Sequence, residues 1–484
     1  MENETALFTK LTVFTVALGT FMSSFDINAA NIALPMIQNS FHTSIAIVEW
    51  VVVAYLLTLC STQLTIGRIS DLYGPKKVYT AGFIFFTVSS ILCGLSWNII
   101  SLILFRILEA ISAAMMASTS SAIITNAVAP TSRGKALSLT AIAVAVASCA
   151  GPTLGGLLAS KFGWNSIFFI NIPIGILGTL FSFKFIQKDA AKSDVKFDVL
   201  GSVLIILALT AILLPLDLLS LNTINMLTAV LLVGAGLVLA VTFIVHESRS
   251  DHPILNLSLF KNHIFANSNF AATLFYTAEF MMVFLSPYYL QQQHQLTPSV
   301  AGMMMFPMAL MMLIFAPIAG TLSDKFDSRL ISSIGMAILT AAILGFGGFQ
   351  ANTPIALLIV MFAVVGIGAG LFNTPNNSAV MGSVSATHRG IAGATLGTMR
   401  TIGMVLGEAL SATLLSANLS RGTHIFSLQG VSGLLLQQSA FGYAMHITCY
   451  AAAGCALLAM LFSLTRGKKP VTEPMTAVQT GKNK

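Results

Sequence analysis

The sequence predicts an all-α membrane protein with fourteen transmembrane helices, arranged as six, two and six, and with both termini in the cytoplasm. Of its 484 residues, 56% are hydrophobic and only 8% are charged, whereas soluble domains carry about 25% charged residues. Fourteen apolar segments reach the length of about 20 residues that crosses a hydrocarbon core of about 30 Å. The basic residues between them lie mostly on one side of the membrane. A soluble fold is therefore excluded.

The fourteen segments are separated by short loops that carry charge, glycine or proline. The first apolar run is far longer than the apolar core of a signal peptide, so it is counted as a membrane span. The predicted segments are 11–37, 47–70, 78–97, 99–125, 135–160, 166–186, 199–219, 224–245, 265–291, 299–323, 330–349, 354–381, 391–417 and 441–464.

The distribution of basic residues predicts the orientation. With the amino terminus in the cytoplasm, 20 of the 24 Lys and Arg lie in cytoplasmic loops and tails. Lys161 and Arg421 lie outside, and Arg106 and Arg400 lie within segments. Basic loops are retained in the cytoplasm, so the opposite orientation would place those 20 residues on the wrong side. The tail from Arg466 onward is polar, and we expect it to be disordered.

Internal repeats predict two related halves. The loop after the second segment reads Gly67-Arg-Ile-Ser-Asp71-Leu-Tyr-Gly74-Pro-Lys76-Lys77-Val78, and its beginning recurs as Gly320-Thr-Leu-Ser-Asp324. Thr131-Ser-Arg133-Gly134 likewise recurs as Thr387-His-Arg389-Gly390. Repeated halves are how secondary transporters build a central site with alternating gates. The predicted units are residues 1–186, a linker and inserted two-helix hairpin at 187–250, a second half at 251–465, and a cytoplasmic tail at 466–484.

Several motifs resemble those of a known family. The loop that begins at Gly67 is similar to the signature loop of the major facilitator superfamily. Other stretches with matching patterns are Phe25-Asp26-Ile-Asn-Ala-Ala-Asn31-Ile-Ala-Leu34-Pro35, Ala150-Gly151-Pro152-Thr-Leu-Gly155-Gly156 and Trp164-Asn-Ser-Ile-Phe-Phe-Ile-Asn171-Ile-Pro173-Ile-Gly175. With fourteen segments, the chain resembles the drug:proton antiporters of that superfamily. The resemblance implies the major facilitator fold and multidrug efflux from a bacterial plasma membrane, by a monomer that needs a proton gradient and no cofactor.

The candidate gating residues come from two of these motifs. Asp71 can cap a helix or pair across the halves, and Gly67 can permit a close helix approach, so the loop can act as a cytoplasmic latch. The alternative is a loop that only fixes topology. In the fifth segment, proline and glycine can give a bend or a tight helix contact. The alternative is a simple packing kink. The predicted gating residues are Gly67, Asp71, Gly74, Lys76, Gly151, Pro152, Gly155 and Asp324.

Buried acids are the candidates for proton coupling. Four lie well inside the predicted segments: Asp26, Glu109, Glu279 and Glu408. An unpaired charge there costs at least about 2.5 kcal/mol, so such residues line cavities, carry function, or are hydrogen-bonded to neighbouring helices. Arg106 and Glu109 share a helix face because they are three residues apart.

Asp26 and Arg106 are expected to lie at similar depth. Asp26 is 16 residues from Lys10, and Arg106 is 20 residues from Asn126, so each lies roughly 24 to 30 Å from the cytoplasmic end of its helix. They can therefore meet across the bundle. We expect Asp26, Arg106 and Glu109 to couple protons. In the family that the chain resembles, glutamine is usual at the position of Glu109, so Glu109 is either an extra proton carrier or the counter-ion of Arg106.

The predicted substrate-binding residues are Glu279, Glu408, Arg400, Met304 and Met308. The two acids suit cations, and Arg400 can balance one of them. Methionine is concentrated in the tenth segment, and soft thioethers suit loosely specific apolar ligands, although such residues can also serve packing or face lipid. We expect the partners to be small amphipathic substrates, protons and the lipid bilayer.

Other classes of function are disfavoured. The net charge of +7 is spread singly through short loops, which argues against nucleic-acid binding. The five cysteines lie apart within apolar runs, so no metal or redox site is predicted. The sequence contains no phosphate-binding loop and no nucleophile constellation, so an enzyme is not expected. The alternatives that stay open are an exporter of a dedicated endogenous solute or lipid, and a non-transporting membrane sensor.

Overall fold

The computed structural model shows a bundle of long helices. It describes residues 2–128, 133–187, 198–220, 223–250, 257–384 and 389–467. The linker at 188–197 and the tail beyond residue 467 were both part of the predicted organisation, and they lie outside this description. Across the described ranges, all of the regular structure is helical.

The first half contains six spans built from eight helices. Two spans begin with a short helix that ends in a one-residue break, at Glu49 before α3 and at Ile170 before α8. The helices are α1 (Glu2–Ser40), α2 (Ile45–Val48), α3 (Trp50–Tyr73), α4 (Pro75–Gly94), α5 (Ile99–Ala127), α6 (Arg133–Phe162), α7 (Ser166–Phe169) and α8 (Asn171–Phe185).

The inserted hairpin consists of α9 (Val199–Ser220) and α10 (Met226–Arg249), which pack along each other. Its ends are joined by His246 Nε2, 2.9 Å from Asp198 Oδ2. Burial acts to raise the pKa of Asp198, but hydrogen bonds from the Gly201 N–H and from His246 lower it below its usual value. The hairpin touches both halves, through α3 of the first and through the helix Arg389–Leu428 of the second.

The second half contains the remaining six spans. A 3₁₀ turn (Leu257–Lys261) precedes α11, and a π turn (Tyr289–Gln293) follows it. The helices are α11 (His263–Tyr288), α12 (Pro298–Lys325), α13 (Ser328–Gly347), α14 (Ile355–Gly382), α15 (Arg389–Leu428) and α16 (Gly433–Thr465).

These helices confirm the predicted fold class. In the described part of the chain, 13 helical spans are long and apolar enough to cross a membrane. The remaining predicted segment, 199–219, corresponds to α9 (Val199–Ser220). We call the end of the bundle where α1 begins the terminal end, and the end where α1 finishes at Ser40 the far end.

Several predicted segments are shorter than the helices that contain them. The helix α15 continues past residue 417 to Leu428, and α16 begins at Gly433 rather than at 441. A helix satisfies its own backbone hydrogen bonds, so it can extend beyond the apolar span until Gly430, which adopts φ 80°, interrupts it. Arg466 was assigned to the disordered tail, but it is buried and donates to Asn376 Oδ1 at 3.2 Å.

Candidate functional site

A buried ion cluster joins α1 and α5 in the first half. Arg106 Nη1 lies 2.5 Å from Asp26 Oδ2 and 2.7 Å from Glu109 Oε2. All three side chains are almost completely shielded from solvent. Arg106 Nε also donates to the Val51 carbonyl oxygen at 2.9 Å, and the guanidinium lies over the ring of Tyr55, 4.2 Å from its centroid. Contacts with three helices, α1, α3 and α5, therefore fix the guanidinium.

Asn171, at the start of α8, extends the cluster. Its Nδ2 donates to Asp26 Oδ1 at 3.0 Å and to Ser90 Oγ at 2.9 Å. Cys93 Sγ, three residues further along α4, donates to Glu109 Oε2 at 3.4 Å. The sequence analysis assigned no role to Asn171. The available signal was a polar residue inside an apolar segment, which must find a partner when it is buried.

The composition of the cluster allows it to hold a proton. It contains one guanidinium and two carboxyl groups in direct contact. If both carboxyl groups were ionised, one buried negative charge would have no counter-charge within the cluster, which is costly. One bound proton removes that charge. Because the two acids share one cation, the proton belongs to the Asp26 and Glu109 pair rather than to either residue.

A cavity of about 100 Å³ lies between the two halves. Its charged lining residues are Glu279 and Arg400, which are close enough to interact electrostatically. The Arg400 guanidinium lies over the ring of Tyr276, 4.8 Å from its centroid. Most of the remaining wall is apolar and rich in methionine: Ile27, Val144, Pro152, Phe280, Val283, Met305, Met308, Ala309, Met312 and Met404. An acid, an aromatic ring and thioethers together suit amphipathic cations.

The cavity is smaller than a typical ligand site. Pockets for drug-sized molecules hold about 300 to 1,000 Å³, whereas this one holds about 100 Å³. The helices around it must therefore separate to admit cargo of that size. Of the two methionines predicted to bind substrate, Met308 lines the cavity and Met304 does not. Met303, from the same run, is 53% exposed on the outer surface of the bundle.

Glu408 does not line the cavity either. Its Oε1 accepts a hydrogen bond from Asn31 Nδ2 at 3.0 Å, which joins α15 of one half to α1 of the other. A further acid, Glu49, is fully buried between α2 and α3. Both Glu49 and Glu408 lie near Tyr288. The sequence analysis overlooked Glu49 because it lies near the edge of the segment predicted at 47–70.

The predicted gating loop contains two residues with clear structural roles. Gly74 adopts φ 98° between α3 and α4, a conformation that residues with a side chain rarely adopt. Lys76 Nζ donates to the carbonyl oxygens of Phe183 at 2.8 Å and Ile186 at 2.6 Å. These carbonyl groups end α8 and need donors from outside the helix. The loop therefore connects α3, α4 and the end of α8.

Gly67 lies against α5, but the contact there does not require a glycine. A methyl group there would meet only Ser118 Cβ, at the ordinary contact distance of 3.5 Å. The side chains of Asp71 and Asp324 lie outside the description, so their gating role stays a prediction.

The glycines of the fifth segment, by contrast, mark a tight helix contact. A Cβ atom at Gly151 would overlap Asn28, and one at Gly155 would overlap Ala29. The helix α6 therefore packs directly on α1, because neither position has room for a side chain. The glycines thus serve a tight helix contact, and the gating role of Gly151, Pro152 and Gly155 stays a prediction.

The same helix also forms the contact between the halves. A Cβ atom at Gly302 of α12 would overlap the Pro152 carbonyl oxygen, and one at Gly156 of α6 would overlap the Pro298 carbonyl oxygen. Gln291 Nε2 donates to the Ile32 carbonyl oxygen at 2.9 Å nearby. These contacts lie toward the far end, where the two halves are closed against each other.

The sequence places the chain in a family. It matches the sequence model of the Major Facilitator Superfamily over residues 16–408 and 268–481. The chain belongs to this superfamily. It is 34% identical over 406 residues to the riboflavin transporter RibZ of Clostridioides difficile (strain 630), covering 84% of this chain and 88% of that protein. It is 32% identical over 419 residues to the multidrug resistance protein Stp of Mycobacterium tuberculosis (strain CDC 1551 / Oshkosh), covering 85% of this chain and 76% of that protein.

A solved structure shares the fold. A bacterial homologue of the human lysosomal transporter Spinster, in an inward-facing and unoccupied conformation, superposes with a TM-score of 0.68 at 15% identity. The match covers 95% of this chain and 97% of that one. The predicted family and fold are therefore confirmed. The chain is a multi-pass transporter of the superfamily, with bacterial relatives, as expected for the plasma membrane. The family and its structural neighbours are transporters rather than enzymes.

Proposed function

We propose that this transporter exports amphipathic cations in exchange for protons. The observation that carries the proposal is the position of α1 between two sites. Asp26 belongs to the ion cluster, whereas Ser24 and Asn28, two residues to either side, line the cavity between the halves. A shift of α1 that follows cargo therefore also changes the surroundings of the shared proton.

The charges of the cavity and of the ion cluster determine how a cation is exchanged for a proton. A cation in the cavity lies beside Glu279, and the first-half cluster holds either its proton or an unbalanced carboxylate. With the amino terminus in the cytoplasm, the closed far end faces outward, and cargo enters from the cytoplasmic side. Its arrival favours release of the proton to the cytoplasm, because water and a second positive charge both favour the ionised acid. Opening at the far end then releases the cation and admits a new proton.

A second candidate is the transport of an uncharged, dedicated solute. The observations that favour it are the 34% identity to a riboflavin transporter and the charge of the cavity. Arg400 offsets Glu279 there, so the two charged lining residues carry no net formal charge. A neutral ring molecule could occupy such a cavity without a compensating ion.

Purified protein in liposomes separates these candidates. Uptake of tetraphenylphosphonium, ethidium and riboflavin would be measured with an acidic interior, with no gradient, and with an uncoupler. We expect gradient-dependent uptake of the two cations. Selective uptake of riboflavin would support the dedicated carrier. Failure to move any solute, shown for protein that retains its folded state, would favour the non-transporting sensor.

A further inference from the structure

A second, larger cavity lies in the second half at the far end. It holds about 760 Å³ and is separate from the cavity between the halves. Its walls are the π turn after α11, the loop that follows α13, and the extended ends of α15 and α16. This volume falls in the range of about 300 to 1,000 Å³ that is typical of ligand pockets.

The lining is aromatic and amide-rich. Phe349, Phe426, Tyr443 and His446 contribute rings, and Gln438 contributes one of several amide side chains. Among the described residues that line the cavity, none is Asp, Glu, Lys or Arg. Aromatic rings bind flat molecules by stacking or edge contacts, and amides supply hydrogen bonds without charge. The chemistry therefore favours a flat, uncharged ligand over an ion.

One amide oxygen in this wall has no partner. Gln293 is 4% exposed, and its Nε2 donates to the Gln438 carbonyl oxygen at 2.7 Å. That bond fixes which end of the amide is the nitrogen, and it leaves Oε1 buried without a hydrogen-bond partner. A buried acceptor without a donor is costly. Oε1 is also closed off from the cavity, so the amide groups available to a ligand are the others of this wall, those of Gln350, Asn352 and Gln438.

We propose that this far-end cavity binds flat, uncharged aromatic molecules that carry an N–H or O–H donor, and that an amide oxygen of its wall accepts the hydrogen bond. The proposal is independent of the transport cycle, because it concerns a site within one half of the molecule. In this proposal, the extended ends of α15 and α16 form the wall of a binding site.

Two glycines of α16 provide a matched pair of variants. Gly442 lines the cavity, and Gly454 does not. A Cβ atom at either position would meet no atom within 4 Å, and both glycines are helical. Gly442→Phe therefore fills the cavity without a clash at Cβ. Gly454→Phe adds the same ring elsewhere on the same helix and controls for effects on folding and detergent binding.

The test is equilibrium dialysis of the purified full chain against 2-quinolinone, a flat neutral lactam with one N–H, and against its N-methyl derivative. We expect saturable binding of 2-quinolinone by the unaltered protein and by Gly454→Phe, and at least about tenfold weaker binding by Gly442→Phe. The N-methyl compound should bind about 5- to 10-fold more weakly, as for one lost hydrogen bond. Absence of saturable binding, equal binding by Gly442→Phe, or equal affinity for both compounds would overturn the proposal.

Discussion

Arg106 Nη1 contacts both carboxyl groups of the ion cluster, Asp26 Oδ2 at 2.5 Å and Glu109 Oε2 at 2.7 Å. One cation thus serves two acids that come from different helices. Removal of either acid would leave a single balanced ion pair, which has no need for a proton. The two acids therefore have to be considered together in any account of proton coupling.

Asp26→Asn should abolish transport driven by a pH gradient. The amide keeps the shape of the side chain and leaves Arg106 paired with Glu109, so the cluster no longer exchanges a proton. Cargo binding should persist, because Asp26 does not line the cavity between the halves. Binding of tetraphenylphosphonium and its uptake into acidic liposomes would be measured on the same preparation. Full gradient-driven uptake by Asp26→Asn would contradict the assignment.

Glu279→Gln should weaken the binding of cations selectively. We expect the dissociation constant for tetraphenylphosphonium to rise on the order of tenfold, as for the loss of one screened charge attraction. An uncharged substrate should be little affected. Glu408→Gln is the matched control, because Glu408 is buried between the halves and does not line the cavity. If both variants changed cationic and neutral substrates alike, Glu279 would not be a site of cation recognition.

Gly74→Ala should destabilise the protein, and Gly67→Ala should not. Alanine at φ 98° is strained by about 1 to 3 kcal/mol, whereas a methyl group at position 67 makes an ordinary contact. The melting temperature of each purified variant in the same detergent gives the comparison. Equal melting temperatures would show that the turn between α3 and α4 does not depend on this glycine.

Gly302→Ala should hinder closure of the far end. The added methyl group would overlap the Pro152 carbonyl oxygen, so α6 and α12 would have to separate. Turnover should fall, and a Ser299→Cys reporter at the start of α12 should react faster with a maleimide. Gly320→Ala is the control on the same helix, where the nearest atom would lie at 3.4 Å. An unchanged labelling rate in Gly302→Ala would exclude a closure role.

Much of the site could be predicted from helix geometry. Counting residues along two spans placed Asp26 and Arg106 at similar depth, and the structure brings them into contact. The spacing of Arg106 and Glu109 likewise placed them on one helix face, and they form an ion pair. Depth in a helix follows directly from residue number, because the rise per residue is constant.

Contacts that depend on helix rotation could not be predicted in this way. Asn171 reaches Asp26 only because α8 turns that face toward α1. Glu408 accepts a hydrogen bond from Asn31 of the other half, whereas Glu279 faces the cavity. The sequence around each acid does not show which of these two positions it takes. Membrane spans are apolar on most faces, so hydropathy gives their length and not their rotation. The extended end of α15 was missed because the polar stretch Ser420-Arg-Gly-Thr-His424 interrupts its apolar run.

Proton release on cargo binding tests directly whether Asp26 and Glu109 share the coupled proton. Purified protein in weakly buffered detergent solution would be mixed with tetraphenylphosphonium, and the pH change would be recorded. We expect the unaltered protein to release protons and both Asp26→Asn and Glu109→Gln to release none, because each variant leaves a balanced pair with Arg106. Release from Glu109→Gln equal to that from the unaltered protein would contradict a proton shared between Asp26 and Glu109.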